Sequence, residues 1–307
     1  MQPTTTTPDK PSLGRRIASF PLTCIFVACT VTGAIAAPVV ILLHPSKSEI
    51  APWKVLPVEL ALAAGAVAGQ ILAGWLLEKG KPSAVGWATP ALRPMGVGFA
   101  TGAGLQTLVV AMLAATGAYV LAGGVVGARP SDMLGAFLLF GLVAVFEEVL
   151  VRGILFRQLE RLLGSWAALA ITSFIFGYGH WKNPGASWIS GLFIAIEAGV
   201  LLGAAFALTR SLWLPIGIHW AWNYFEGPVF GEAVSGTQGP HWLSPHIDGP
   251  VTWTGGVFGP EAGLAAVIPC TALGVLMVVL AVRRKQIRTP AWMLRLFNQP
   301  DPQMGGT

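Results

Sequence analysis

The chain alternates long apolar runs with short polar connections, and the runs dictate its architecture. After a polar, Thr- and Pro-rich opening (1–18) that reads as a disordered cytoplasmic tail, apolar runs at about 19–43, 55–77 and 96–123 each reach or exceed the length a helix needs to cross a bilayer. A fourth helix is expected to start near Ser131 and Asp132, a candidate N-cap, and to continue towards Arg161 as a cytoplasmic extension. Further runs lie at about 165–180, 189–208, 212–225 and 262–282, the first and third of these being short. The expected fold is all-α, a polytopic transmembrane helical bundle of about eight helices. The membrane domain spans 19–282, with its motif-bearing core at 131–226, a long extracytoplasmic connection at 227–261 and a basic cytoplasmic tail at 283–307.

Composition agrees with the pattern. Of 307 residues 54% are hydrophobic and only 11% charged, which excludes a soluble globular domain. The first run follows Arg15 and Arg16 as a signal peptide would, but it is too long for one. The net charge of +5 is not a nucleic-acid signature, because Lys and Arg collect in connections on one side of the spans. That side holds Lys10, Arg15, Arg16, Lys79, Lys81, Arg93, Arg157, Arg161, Arg210 and the cluster from Arg283 to Arg295; the other holds only Lys47, Lys54, Arg129 and Lys182. Both termini are therefore expected in the cytoplasm, which requires an even number of spans. The glycine pairs Gly65/Gly69, Gly98/Gly102 and Gly199/Gly203 read as close helix crossings within the bundle. Cys24, Cys29 and Cys270 sit in apolar runs and read as small hydrophobes.

Against this background a few polar residues stand out, because charges at lipid depth usually mark function. Glu147 and Glu148 adjoin at the end of an apolar run, and Arg152 lies one helical turn beyond Glu148, on its face. A charge-assisted pair would satisfy Glu148 and Arg152 and leave Glu147 in need of another partner; the plainer reading is an ion pair that locks two helices. His180 closes the next run, one turn after Phe176, where it is either interfacial or catalytic. His219 and Asn223 are four apart and project together, suited to a metal, to a developing oxyanion, or to gluing helices. Glu197 lies mid-span as a proton-relay or helix-pairing acid, and Gln70 and Gln106 read as interhelical hydrogen-bonders. His241, His246 and Asp248, in the long connection, fit no metal template and read as loop residues.

The series Glu147-Glu148-x-x-x-Arg152, Phe176-x-x-x-His180 and His219-x-x-x-Asn223, in that order on successive apolar segments, resembles the CPBP family of intramembrane proteases, also called the type II CAAX prenyl endopeptidase or ABI family. The resemblance covers about 137–225. It implies an endopeptidase in which Glu147 activates a water with His180 beside it, His219 and Asn223 stabilise the oxyanion, and Glu148 and Arg152 orient the site. It also implies a membrane-associated peptide or protein substrate, a lipid surroundings, no nucleic acid, and multi-pass residence in a bacterial-type plasma membrane. The cofactor is either none or one zinc ion; Glu147, His180 and His219 are the ligands in the second case, at the expense of the clearest base. The alternatives are a non-enzymatic binding or immunity-type membrane protein with a structural polar cluster, and a proton-coupled transporter using Glu147, Glu148 and Glu197, against which the lack of internal repeats counts. One geometric demand follows from the peptidase reading. His180 leans to the outer end of its span and Glu147 to the inner half of its own, so they meet only if the fourth helix begins early and the fifth continues past Trp181.

Overall fold

The computed structural model describes residues 20–43, 51–78, 86–87, 90–125, 127–290 and 292–293. The tail expected at 1–18 and the end of the basic tail from 294 lie outside them. Eight helices dominate the described residues: α1 (Pro21–Leu43), α2 (Pro52–Leu77), α3 (Leu92–Ala115), α4 (Pro130–Leu163), α5 (Ser165–Gly179), α6 (Trp188–Thr209), α7 (Trp213–Tyr224) and α8 (Leu264–Arg283). Six of these, all but α5 and α7, are long and apolar enough to cross a membrane. The chain is thus an integral multi-pass protein with an all-α bundle. Its outer surface agrees, since Phe26, Leu42, Phe174 and Leu192 are exposed while Arg152, Glu148 and Gln106 are fully buried.

The shortness of α5 has a consequence for the site. Its 15 residues cover roughly 22 Å at about 1.5 Å per residue, less than the ~30 Å hydrocarbon core. Helix α7 has 12 residues before its backbone widens. Several helices also contain wide π turns: Val149–Phe156 within α4, Ala195–Gly199 within α6, and Phe225–Val229 directly after α7. Such turns occur often at functional sites because they break the register of the backbone ladder.

Helix crossings are close where glycine permits it. A Cβ on Gly98 would lie 3.0 Å from the backbone nitrogen of Ile218 in α7, one on Gly65 would lie 3.0 Å from the Thr32 carbonyl oxygen in α1, and one on Gly199 would lie 2.8 Å from Ser173 in α5. All three glycine pairs therefore serve contacts within this one bundle.

Two boundaries differ from the sequence reading. Helix α4 starts with Pro130 in its first turn and Arg129 as N-cap, and Asp132 pairs with Arg129 at 2.8 Å instead of capping; the fixed φ of proline suits that first position. Helix α3 ends at Ala115 and not near 123. Gly117 turns into the left-handed region at φ 75°, and the N–H groups of Gly117 and Ala118 close on the carbonyls of Ala114 and Leu113. The chain leaves the helix there as β1 (Tyr119–Val125), which pairs antiparallel with β2 (Leu243–Ile247), Tyr119 opposite Ile247 and Val120 opposite His246.

The connection that holds β2 is docked, not loose. Tyr119 Oη donates to the Phe230 carbonyl at 2.8 Å, the Trp242 N–H to Pro228 at 2.8 Å, and the Gly236 N–H to Phe258 at 2.7 Å. Gly259 takes φ 117° and packs on the Ala233 carbonyl, a position where any Cβ would collide with backbone. The connection is thereby pressed onto the bundle over the ends of α5 and α7.

Candidate active site

The three sequence motifs converge on one cavity of about 290 Å³, lined by Glu147 and Phe140 from α4, Phe176 and His180 at the end of α5, Glu197 from α6, and His219 and Asn223 from α7. The depth difference between Glu147 and His180 disappears because α5 is short and continues past Gly179 as a single 3₁₀ turn, His180–Lys182.

At the root of the site is an ion pair. Arg152 Nη1 donates to Glu148 Oε1 at 2.8 Å, and both side chains are fully buried. The second guanidinium nitrogen donates to the carbonyls of Ala198 (3.3 Å) and Gly199 (3.2 Å), where the π turn of α6 ends. The face of the guanidinium lies 4.5 Å from the centre of the Phe176 ring. Arg152 thus ties α4 to α6 and α5 at once, which offsets the cost of burying it.

That pair fixes the first histidine. His219 Nδ1 lies 3.0 Å from the same Glu148 Oε1. Because Glu148 faces Arg152 as a carboxylate, Nδ1 carries the proton and donates. Nε2 then points away, to 3.8 Å from Glu147 Oε2. The second histidine is oriented by backbone: His180 Nδ1 is 2.8 Å from the Phe176 carbonyl. A carbonyl only accepts, so Nδ1 holds the proton and Nε2 presents its lone pair to the cavity. Phe176 packs against both rings, at 4.9 Å from His180 and 6.0 Å from His219.

Glu147 is treated differently from its neighbour. Its side chain keeps 24% exposure at the cavity against 0% for Glu148. A carboxylate that keeps exposure at a polar cavity is placed to bind water. Glu147, His180 and His219 line one cavity, yet among the described residues no three His, Cys, Asp or Glu side chains come together as a metal site.

Several acids around the cavity carry no motif and escaped the sequence reading. Glu59 of α2 lines it opposite α4; its position in an apolar run was the available signal. Ser235 and Glu261 line it from the α7–α8 connection, with Ser235 Oγ donating to Glu261 Oε1 at 2.5 Å. Behind them Glu226 is fully buried, and both its carboxyl oxygens lack a partner. Burial, and then the neighbouring Glu261, push the Glu226 carboxyl well above the usual range; burial likewise raises Glu261. Glu232 accepts from Gln106 Nε2 at 2.7 Å, and burial lifts its carboxyl to about 8 against that bond. Gln106 therefore bonds the connection rather than another helix, and Gln70 Oε1 accepts from Trp87 Nε1 at 2.8 Å. His246 lies on β2 opposite Val120, and His241 bonds the Gly239 carbonyl at 2.9 Å; neither reaches the cavity.

No curated protein and no solved structure matches the chain. Residues 129–225 match the family model described as Rce1-like, type II CAAX prenyl endopeptidase. The resemblance read from the three motifs is thus borne out: across the segment that carries Glu147, His180, His219 and Asn223, this chain is similar to a family of CAAX-type membrane proteases.

Proposed function

We propose that the protein is an intramembrane endopeptidase that hydrolyses a peptide bond of a membrane-associated peptide or protein, in a bacterial-type plasma membrane. The observation that carries this reading is the part-exposed carboxylate of Glu147 at the cavity that His180, His219 and Asn223 also line. Glu147 takes a proton from a water, whose oxygen attacks the scissile carbonyl carbon. His180 holds that water through its Nε2 lone pair. The developing oxyanion is received by the Asn223 amide and by His219 Nε2, donation from which requires the imidazolium; Glu148 is its counter-ion. Arg152 and Glu148 hold His219 in place, a role that needs no contact with substrate.

A purely structural polar cluster accounts for Glu148, Arg152 and His219 but leaves Glu147 without a task. Comparing the peptide ends in membranes that hold wild type or Glu147→Ala decides the point. Ends present only with wild type, at equal thermal stability in detergent, are expected. Equal ends with a lowered Tm would make the cluster structural.

No step here passes through a metal ion, and activity is expected to survive dialysis of the purified protein against a chelator. Stoichiometric zinc whose removal abolishes cleavage would replace Glu147 as the base.

A further inference from the structure

The reaction has a second proton requirement, which a group already protonated before water attacks meets without waiting for Glu147 to hand on the proton it took. An amine leaves a tetrahedral intermediate only if its nitrogen is protonated as the C–N bond breaks. His219 and Asn223 are directed at the oxyanion, and His180 presents a lone pair because its Nδ1 proton is held by the Phe176 carbonyl. The opposite wall of the cavity holds a carboxyl suited to the task. Glu261 lines the same cavity, is 5% exposed, and accepts from the Ser235 hydroxyl through Oε1 at 2.5 Å. The groups around it are Glu226, Glu197, His180 and His219. Glu226, buried beside it, makes it unfavourable for both acids to ionise.

Resting on the peptidase reading above, we propose that Glu261 is a further catalytic residue, the general acid that protonates the leaving nitrogen. As the C–N bond breaks, the Glu261 proton passes to nitrogen and the bonding pair stays with it. Glu261 is left a carboxylate, and the proton that Glu147 took from water returns to it through cavity water, so that both carboxyls are reset. The fixed glycine turns around Gly255, Gly259 and Gly263 then have a purpose beyond closure: they set the carboxyl against the site.

The test uses full-length protein in lipid nanodiscs and in native membranes. Glu261→Gln keeps size and polarity, and is expected to reduce the Glu147-dependent peptide ends about a hundred-fold or more. Glu261→Asp, with an ionisable group on a shorter arm, is expected to recover part of that yield. Independently of activity, Glu261→Gln should remove a protonated-carboxyl band from the infrared spectrum at neutral pH. A Gln variant with wild-type yield, an Asp variant no better than Gln, or an unchanged carboxyl band each overturns the assignment. If the ends are insensitive to Glu147→Ala itself, the peptidase reading falls and the role of Glu261 with it. Loss on Glu147→Ala without loss on Glu261→Gln removes only the present proposal.

Discussion

The two walls of the cavity handle buried charge in opposite ways. The wall made by α4, α5 and α7 balances it: Glu148 faces Arg152, His219 rests on Glu148, and Arg152 also binds two carbonyls and the Phe176 ring. In the wall made by the α7–α8 connection, burial instead pushes the carboxyls of the acids above their ordinary range. Glu226, Glu232 and Glu261 are buried, and their recorded side-chain bonds come from the neutral donors Gln106 and Ser235. A paired wall holds its charges by mutual attraction, whereas a wall of buried acids is most stable while it keeps its protons. Substitutions that exchange these properties separate the two.

The largest effect is expected from Arg152→Met. It strands Glu148 and removes the bonds to Ala198 and Gly199, at a cost of about 3–5 kcal/mol, which would appear as loss of folded protein in detergent. Combining it with Glu148→Gln should restore most of the stability but not activity, since His219 loses its counter-ion; no recovery would show that the charge pairing was not the dominant contribution.

Next is Gly259→Val, which places a branched side chain at φ 117° against the Ala233 carbonyl. A strain of about 1–3 kcal/mol should displace the connection, abolishing cleavage with helix content by circular dichroism preserved. Retained cleavage would mean that the second wall is dispensable.

A smaller and pH-dependent effect belongs to Glu232. Its folded carboxyl titrates at about 8, above the ordinary 4.5, so the native state binds the extra proton between those values. The contribution is fully present below about 4.5 and lost as pH rises through about 8. Thermal melts should therefore show stability falling across that window, and Glu232→Gln should flatten the fall by a few degrees. The smallest effect is expected for His246→Ala, exposed on β2 and away from the cavity, within about 0.5 kcal/mol of wild type and with unchanged cleavage.

What was legible in the sequence has a common physical origin. The apolar runs demanded helices because a backbone in lipid must satisfy itself, and the spacing of four placed Glu148 with Arg152 and His219 with Asn223 by helix geometry alone. The resemblance carried by those motifs followed the same local spacing. The boundary of α3 was hidden because Tyr119 to Val125 continues an apolar run, and only Gly117 with its capping bonds and the pairing with β2 turns it out of the helix. Glu59 was visible as an acid in an apolar run. Glu226, Glu232 and Glu261 looked like ordinary loop acids, since nothing periodic marks a connection as buried.

The sequence by itself determined a helical membrane bundle and the faces on which its charges lie, because each follows from solvent and from contacts within one or two turns. Only the tertiary structure decided that α5 stops short enough to bring His180 beside Glu147, which histidine nitrogens face the cavity, and that a connection 100 residues beyond the first motif supplies its other wall. These depend on packing between segments distant in the chain, for which local spacing holds no information.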